Sequence, residues 1–351
     1  MKDVAIVAFT QTQHSAEDQG LNETEMLLPL ITEIKEQTGI SRFDFTCSGS
    51  CDYLLGSPFS FVSALDAVGA WPPISESHVE MDGAWALYEA WVKMQYSDEV
   101  ETALVYGFGK PSQTSVRQVL GLQLDPYYLA PLGVDQVSMA ALQAQAYLTR
   151  SGAKEGDLTA VAARARAAGQ DNPRALHLDA PADDAAYDVA PLMVHDVAPQ
   201  ADGAAVIVLA TGDKVREISE RTGLKPAWIR GIDHRADGHH LNFRDLTSAP
   251  SVSLAAEKAG ASGGKFDVAE LHTCFTHHEP ILRRALGLPD DLEVNPSGGP
   301  LAANPMMAAG LLRLVEVANR IHSGDISRGV AHATGGHALQ HNLVAVLEGE
   351  G

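Results

Sequence analysis

The sequence predicts a layered α/β protein made of two similar halves. Three observations carry this. Short apolar runs alternate with segments of helical spacing from Val4 to Phe108. The same order of elements returns after Trp228. Between them, over about 118–200, the character changes to helices rich in Ala and Gln and a loop with Pro173, Pro181, Pro191 and Pro199. Alternating strands and helices build α/β layers, and 351 residues exceed what one small core needs. The expected division is 1–225 for the first half, including the insertion over about 118–200, and 226–351 for the second.

Each element has its own signal. Residues 4–9 are β-branched and apolar, the pattern of a buried strand. Over 22–38 the apolar residues Met26, Leu27, Leu30, Ile31 and Ile34 recur at helical intervals. Residues 43–46 form a short apolar run before CSGSC. Ala84, Leu87, Trp91 and Met94 share one face of a helix over 83–94, and 103–108 is a strand ending in GFGKPS. After the insertion, 204–209 resumes the buried-strand pattern, and a helix follows from Asp213. The second series is a strand at 228–232, a helix at 252–259, and a strand at 268–271 ending in HTCF. A long apolar helix at 306–321, a strand at 329–334 running into Gly335, and a closing strand at 343–347 complete it.

Composition limits the partners. A formal net charge of -20 repels nucleic acid and anionic membranes, so neither is expected. Three cysteines suit a reducing compartment. The opening MKDVAIVAFTQTQHS has no long apolar run, and no stretch reaches the ~18 apolar residues of a spanning helix. A cytoplasmic location is the expectation.

Three segments near the C-terminus, ELHTCFTHHEPILRRALGL, NPSGGPLAANPMMAAG and ATGGHALQHNLVAVLE, occur in this order. They resemble three active-site blocks of thiolases, most closely those of the sterol-carrier-protein-type, or lipid-transfer-protein, branch. FDFTCSGSCDYL and DGAAVIVLA also look like that branch. The resemblance covers nearly the whole chain. It implies the thiolase fold: two similar five-layer-forming α/β halves with an inserted loop domain that helps bind coenzyme A.

Thiolase chemistry needs a nucleophilic Cys, a His that activates it and a second Cys as acid and base. Matching HVEMDGAWALYEAW on Gly83 and Ala86 puts Glu80 at the nucleophile position and Asp82 at the following Ser. Asn304, before Pro305, stands in place of the His, and Ala333 in place of the second Cys. His272 matches the His of the branch's His-Asp-Cys-Phe block, with Thr273 replacing Asp. Cys47 and Cys51 follow an earlier strand and read as structural, in a stretch whose small residues let backbones pass closely. Cys274 reads as a packing residue beside the site. No second Cys pair follows, so no metal site is expected.

The candidate catalytic residues are therefore His272, His337 on the Gly-Gly loop, and Glu80. Ser77 and Glu80 also fit a capping box, which would give Glu80 a structural role. Asn304, Gly299, Gly335 and Asp82 are candidate substrate-binding positions. Arg164 and Arg166 are candidates for the coenzyme A phosphates, against the commoner reading of a solvated helix face. His239, His240, His277, His278 and His341 read as surface or supporting residues.

Without the cysteines, the covalent half-reactions of a thiolase are closed. A retro-aldol cleavage remains open, since it needs only a base for the β-hydroxyl and donors for the thioester enolate. The resemblance implies a thiolase-fold aldolase, or aldolase subunit, acting on a β-hydroxyacyl-CoA, with a steroid side chain as the expected acyl group. It implies a small OB-fold/zinc-ribbon partner, a second thiolase-like chain as a further partner, and dimerisation through the first half. No cofactor is expected beyond the coenzyme A of the substrate. The alternatives are a non-catalytic thiolase-like subunit that scaffolds a heteromeric complex, an acyl-CoA or lipid-binding protein, and, last, a true acyltransferase.

Overall fold

The computed structural model describes residues 1–69, 75–182 and 184–350. The first half runs β1 (Val4–Gln11), α1 (Glu23–Thr38), β2 (Phe45–Gly49), α2 (Asp52–Leu55), α3 (Leu65–Val68), β3 (Glu76–Val79), α4 (Gly83–Tyr96) and β4 (Thr102–Gly109). The insertion adds α5 (Val116–Leu122), α6 (Gln136–Ser151), α7 (Glu155–Gln170) and the short strands β5 (Tyr187–Val189), β6 (Leu192–Met193) and β7 (Gln200–Ala201). β8 (Gly203–Thr211) and α8 (Asp213–Thr222) return to the first sheet. The second half runs β9 (Ala227–Ala236), α9 (Pro250–Lys258), β10 (Val268–Leu271), α10 (His278–Leu286), β11 (Asn304–Pro305), α11 (Ala309–Ser323), β12 (Arg328–Gly335) and β13 (His341–Glu348).

The strands are ordered β3-β2-β4-β8-β1 and then β9-β13-β12-β10. Among the described residues, the strands of the two groups pair only at Ala5–Trp228 and Ile6–Ala227. Four strands of the first group match the four of the second, and β3 is an extra edge strand of the first. β2 and β4 are parallel, with β8 and then β1 added antiparallel. β10 and β12 are parallel, with β13 and then β9 added antiparallel.

Residue alternation along the strands turns this topology into five layers. In β4, Ala103 and Val105 face α4 and α11, while Leu104, Tyr106 and Phe108 face the core under α1 and α8. In β12, Ala331 and Ala333 face the same central helices, while Val330 faces α9 and α10. So α4 and α11 form a middle layer between two sheets, and each sheet carries further helices on its outer face.

Every expected strand and helix is present, with ends shifted by a few residues. The expected helix over 306–321 starts only at Ala309. Met307 adopts φ 68°, and its carbonyl accepts the Gly83 amide at 2.8 Å instead of opening a helical turn. The close approach expected around CSGSC is also present. A Cβ on Gly49 would lie 2.6 Å from the Gly83 nitrogen, and one on Gly107 would lie 2.5 Å from the Met307 carbonyl oxygen. Cys47 and Cys51 are buried there as packing groups.

The expected Ser77–Glu80 capping box does not form. Ser77 pairs within β3, and α4 starts three residues after Glu80 with Asp82 as its cap. Among the described residues, no helix is long and apolar enough to cross a membrane.

Candidate active site

One cavity of about 400 Å³ lies where the ends of β10 and β12 meet the start of α4 and the inserted region. Its wall brings together Glu80, Asp82, His272, Asn304, Gly335 and His337. Three other expected binding residues are elsewhere. Gly299 packs against Asn295 at φ 59°. Arg164 pairs with Glu279, and Arg166 donates to the Asp179 carbonyl at 2.9 Å. Neither arginine is at the cavity wall: Arg164 is taken up by a carboxylate of α10 and Arg166 by a loop carbonyl.

Asp82 is 6% exposed and holds two helices at once. Its Oδ1 accepts from Ala84 N and Leu311 N, both at 2.9 Å, and its Oδ2 accepts from Gly310 N at 2.8 Å. Burial raises its pKa, opposed by these three N–H groups. Its role is to tie the starts of α4 and α11 together.

Glu80 takes a different set of bonds. Its Oε1 accepts from Asp52 N at 2.7 Å, and its Oε2 lies 3.5 Å from His78 Nε2. His78 Nδ1 lies 3.0 Å from the Ser48 hydroxyl. Ligand-type atoms of Asp52, His78 and Glu80 come within 4.8 Å of one another. Hydrogen bonds account for that cluster, since Phe59 N and Ser60 N also hold the Asp52 carboxylate.

His272 follows β10 directly and is 6% exposed. Thr334 N donates to its Nδ1 at 3.2 Å, so the neutral ring carries its proton on Nε2. Burial, the Arg313 charge and His332 push its pKa down to about 3, against the opposing effect of the Asn304 side chain. Arg313 is itself held behind the site by Glu270, at 2.5 Å, and by Ser297. At neutral pH the ring is therefore a hydrogen-bond donor. It and the Asn304 amide supply N–H groups of the kind that hold a thioester oxygen.

His337 sits on the loop after β12. Burial, with His239 and Arg244 nearby, lowers its pKa to about 4. Its loop is pinned by Arg244, which donates to the His337 and Ala338 carbonyls. Gly336, at φ 69°, makes the turn. Two cysteines line the cavity, and burial pushes the Cys274 thiol up to about 12 and raises that of Cys51, so both are thiols rather than thiolates.

Of the histidines read as surface or supporting residues, His277 and His278 are buried, at 0% and 3% exposed, and so fall on the supporting side. His239 and His341 line the cavity itself. Sequence reasoning also missed Arg244, whose role depends on a loop almost a hundred residues away. The doubled His before Glu279 was the available signal for His278.

No protein-family model matches the chain. Local sequence matches are to thiolases. The chain is 28% identical over 132 residues to the beta-ketoadipyl-CoA thiolase of Pseudomonas putida, covering 37% of this chain and 32% of that protein. It is 29% identical over 180 residues to sterol carrier protein 2 of Gallus gallus, covering 43% and 32%. These matches span about a third of each relative's own length. Whole-chain similarity appears in structure. The "Ltp2-ChsH2(DUF35) aldolase" superposes at a TM-score of 0.80 with 19% identity, covering 99% of this chain and 98% of that one. Human mitochondrial 3-ketoacyl-CoA thiolase superposes at 0.76 with 14% identity, covering 100% and 99%.

The chain has the thiolase fold. The resemblance to thiolases and to the lipid-transfer branch therefore holds for the architecture. Glu80, which motif order sets against the thiolase nucleophile, lies at the cavity wall, and Ala333, set against the second cysteine, is buried. The site retains polar donors and neutral imidazoles.

Proposed function

We propose that this chain is a thiolase-fold aldolase, or the aldolase subunit of a complex, that cleaves a β-hydroxyacyl-CoA. One observation carries the reading: a neutral donor pair, His272 and Asn304, shares a cavity with the neutral imidazole of His337 and no thiolate. His337 accepts the β-hydroxyl proton, and the oxygen's electrons form a carbonyl. The bond between the α- and β-carbons breaks, and its electron pair moves into the thioester as an enolate. His272 and Asn304 hold the enolate oxygen. Once the ketone or aldehyde has left, His337 returns its proton to the α-carbon, so protons balance. The products are a shortened acyl-CoA and a carbonyl compound.

A small OB-fold/zinc-ribbon protein is the proposed partner. A steroid side chain is the proposed acyl group, dimerisation through the first half the proposed assembly, and the cytoplasm the proposed location. The replaced cysteines also favour a second reading, in which the chain completes another subunit's site. One experiment tests both. The chain is co-purified with its partners and given β-hydroxyacyl-CoA, and both products are identified by mass. Cleavage that requires His337 supports the first reading, and cleavage unaffected by His337→Ala supports the second.

A further inference from the structure

Two segments far apart in sequence meet at the cavity. Helix α5 and the turns after it, 116–132, bring Leu120 and Gln123 to the wall. The loop after β9, 237–244, brings His239. Their rings form a row. The His239 ring centre lies 6.0 Å from that of His337 and 5.4 Å from that of His240. The His240 ring in turn lies 5.5 Å from Tyr128 and 6.1 Å from Phe243. The row thus runs from the proposed base to the protein surface, where Tyr128 is 67% and Phe243 83% exposed. Leu122, Tyr127 and Leu132 of the first segment are exposed as well. The turn that presents Tyr128 is fixed, since Asp125 Oδ1 accepts from Tyr127 N at 3.0 Å and from Tyr128 N at 2.6 Å. Large apolar side chains held in the open beside a cavity mark a binding surface.

Charge narrows the ligand. Each segment carries one arginine. Arg117 is paired with Asp135 and Asp188, and Arg244 with Asp237 and two loop carbonyls. Asp125 adds a negative charge. A phosphate is held by cations, so the nucleotide end of coenzyme A does not match this rim, whereas an uncharged apolar group does. Direction gives the same answer. On the aldolase reading, on which this inference rests, His337 faces the β-hydroxyl, while His272 and Asn304 hold the thioester oxygen. The chain beyond the β-carbon therefore starts beside His337, where the row of rings begins, and the CoA arm starts at the His272 end.

We propose that Tyr128 and Phe243, joined through His240, form an outer subsite that binds the apolar tail of the acyl group beyond its β-carbon. The subsite takes no part in proton transfer. It makes the protein select acyl groups long enough to pass out of the cavity and cover the two exposed rings, which removes apolar surface from water on both partners. After cleavage the same rings hold the departing carbonyl compound, and the shortened acyl-CoA does not touch them.

The test is a binding measurement, separate from turnover. Dissociation constants are measured for 3-hydroxydodecanoyl-CoA, 3-hydroxybutanoyl-CoA and free coenzyme A, on the full chain in its purified assembly. The wild type should prefer the long ester to the short one by roughly 10-fold or more. Tyr128→Ser and Phe243→Ser should each weaken the long ester by roughly 3- to 10-fold, while the short ester and free coenzyme A bind as before. Phe243→Leu, which keeps an apolar side chain, should recover part of the loss. Both residues are exposed, and circular dichroism checks that the variants fold. A wild type without the preference, or serine variants that keep it, overturns the proposal. Equal weakening of all three ligands overturns it in favour of a coenzyme A site. Loss of a co-purifying protein from the serine variants, with the preference intact, overturns it in favour of a protein interface. If the preference is present and lost as expected but no cleavage occurs in any assembly, the outer subsite stands and the aldolase reading alone fails.

Discussion

The two halves share a strand pattern, yet they contribute to the cavity in different ways. In the first half, the strand ends nearest the cavity are glycines: Gly49 ends β2, and Gly107 and Gly109 close β4. The Met307 and Met306 carbonyls lie against Gly107 and Gly109, and the Asp82–Gly83 backbone lies against Gly49, where Cβ atoms would otherwise be. In the second half, the corresponding ends carry side chains, His272 after β10 and His337 after β12. The central helices differ in the same sense. α4 has its own cap in Asp82, whereas α11 follows Ala308 and has no side-chain cap of its own. Asp82 supplies the missing acceptor to Gly310 and Leu311 across the interface. The duplicated architecture thus has one half as a platform and the other as the source of polar chemistry.

The largest expected effect comes from breaking that shared cap. Asp82→Ala leaves three buried N–H groups without an acceptor, at about 1–3 kcal/mol each. A loss of roughly 3 kcal/mol or more is expected in urea unfolding, and Asp82→Asn should lose clearly less. An alanine variant as stable as the wild type would show that the halves are not coupled at this point.

Next is the second half's imidazole. His337→Ala should lower cleavage by about 10²–10⁴-fold, the usual contribution of a general base, with folding unchanged by circular dichroism. Glu80→Gln, altering the platform side of the same cavity, should have a smaller effect. The reverse order would move the base to the first half.

A third test uses the buried histidines, which are concentrated in the second half. His272 and His277 have pKa values lowered to about 3, and His332 and His337 to about 4, mainly by burial. In the unfolded chain each returns to about 6.5. Below that pH the unfolded state binds protons that the native state refuses. Stability is therefore full above pH 6.5 and falls as pH drops toward 4, by at most about 1.4 kcal/mol per pH unit for each such group. Denaturant unfolding at pH 7, 6 and 5 checks this, and a flat result would mean that the native rings protonate freely.

The smallest effect is expected at the cysteines. Burial pushes the Cys47 and Cys274 thiols to about 12 and raises Cys51 as well. Cys47→Ala, Cys51→Ala and Cys274→Ala should each retain cleavage, and iodoacetamide should inactivate the protein slowly if at all. Rapid inactivation traced by peptide mass to Cys274 would return a nucleophile to the second half.

The sequence by itself determined the layered architecture, because strand and helix periodicities are local and each half repeats them. By motif order it also sets Glu80 and Ala333 against the two thiolase cysteine positions, Asp82 against the Ser and Asn304 against the His, with no need of coordinates. Local pattern misled at Ser77–Glu80. The spacing fits a capping box, but the pairing of β3 holds Ser77 extended and the start of the helix passes to Asp82. The tertiary structure alone decided that Asp82 caps two helices, since Gly310 lies more than two hundred residues away. It decided that His272 is tied through Nδ1 to the Thr334 amide, and that His278 is buried at the cavity with both nitrogens unpartnered among the described residues. Burial and hydrogen-bond partnership depend on which distant segments pack together, and side-chain spacing along the chain does not encode them.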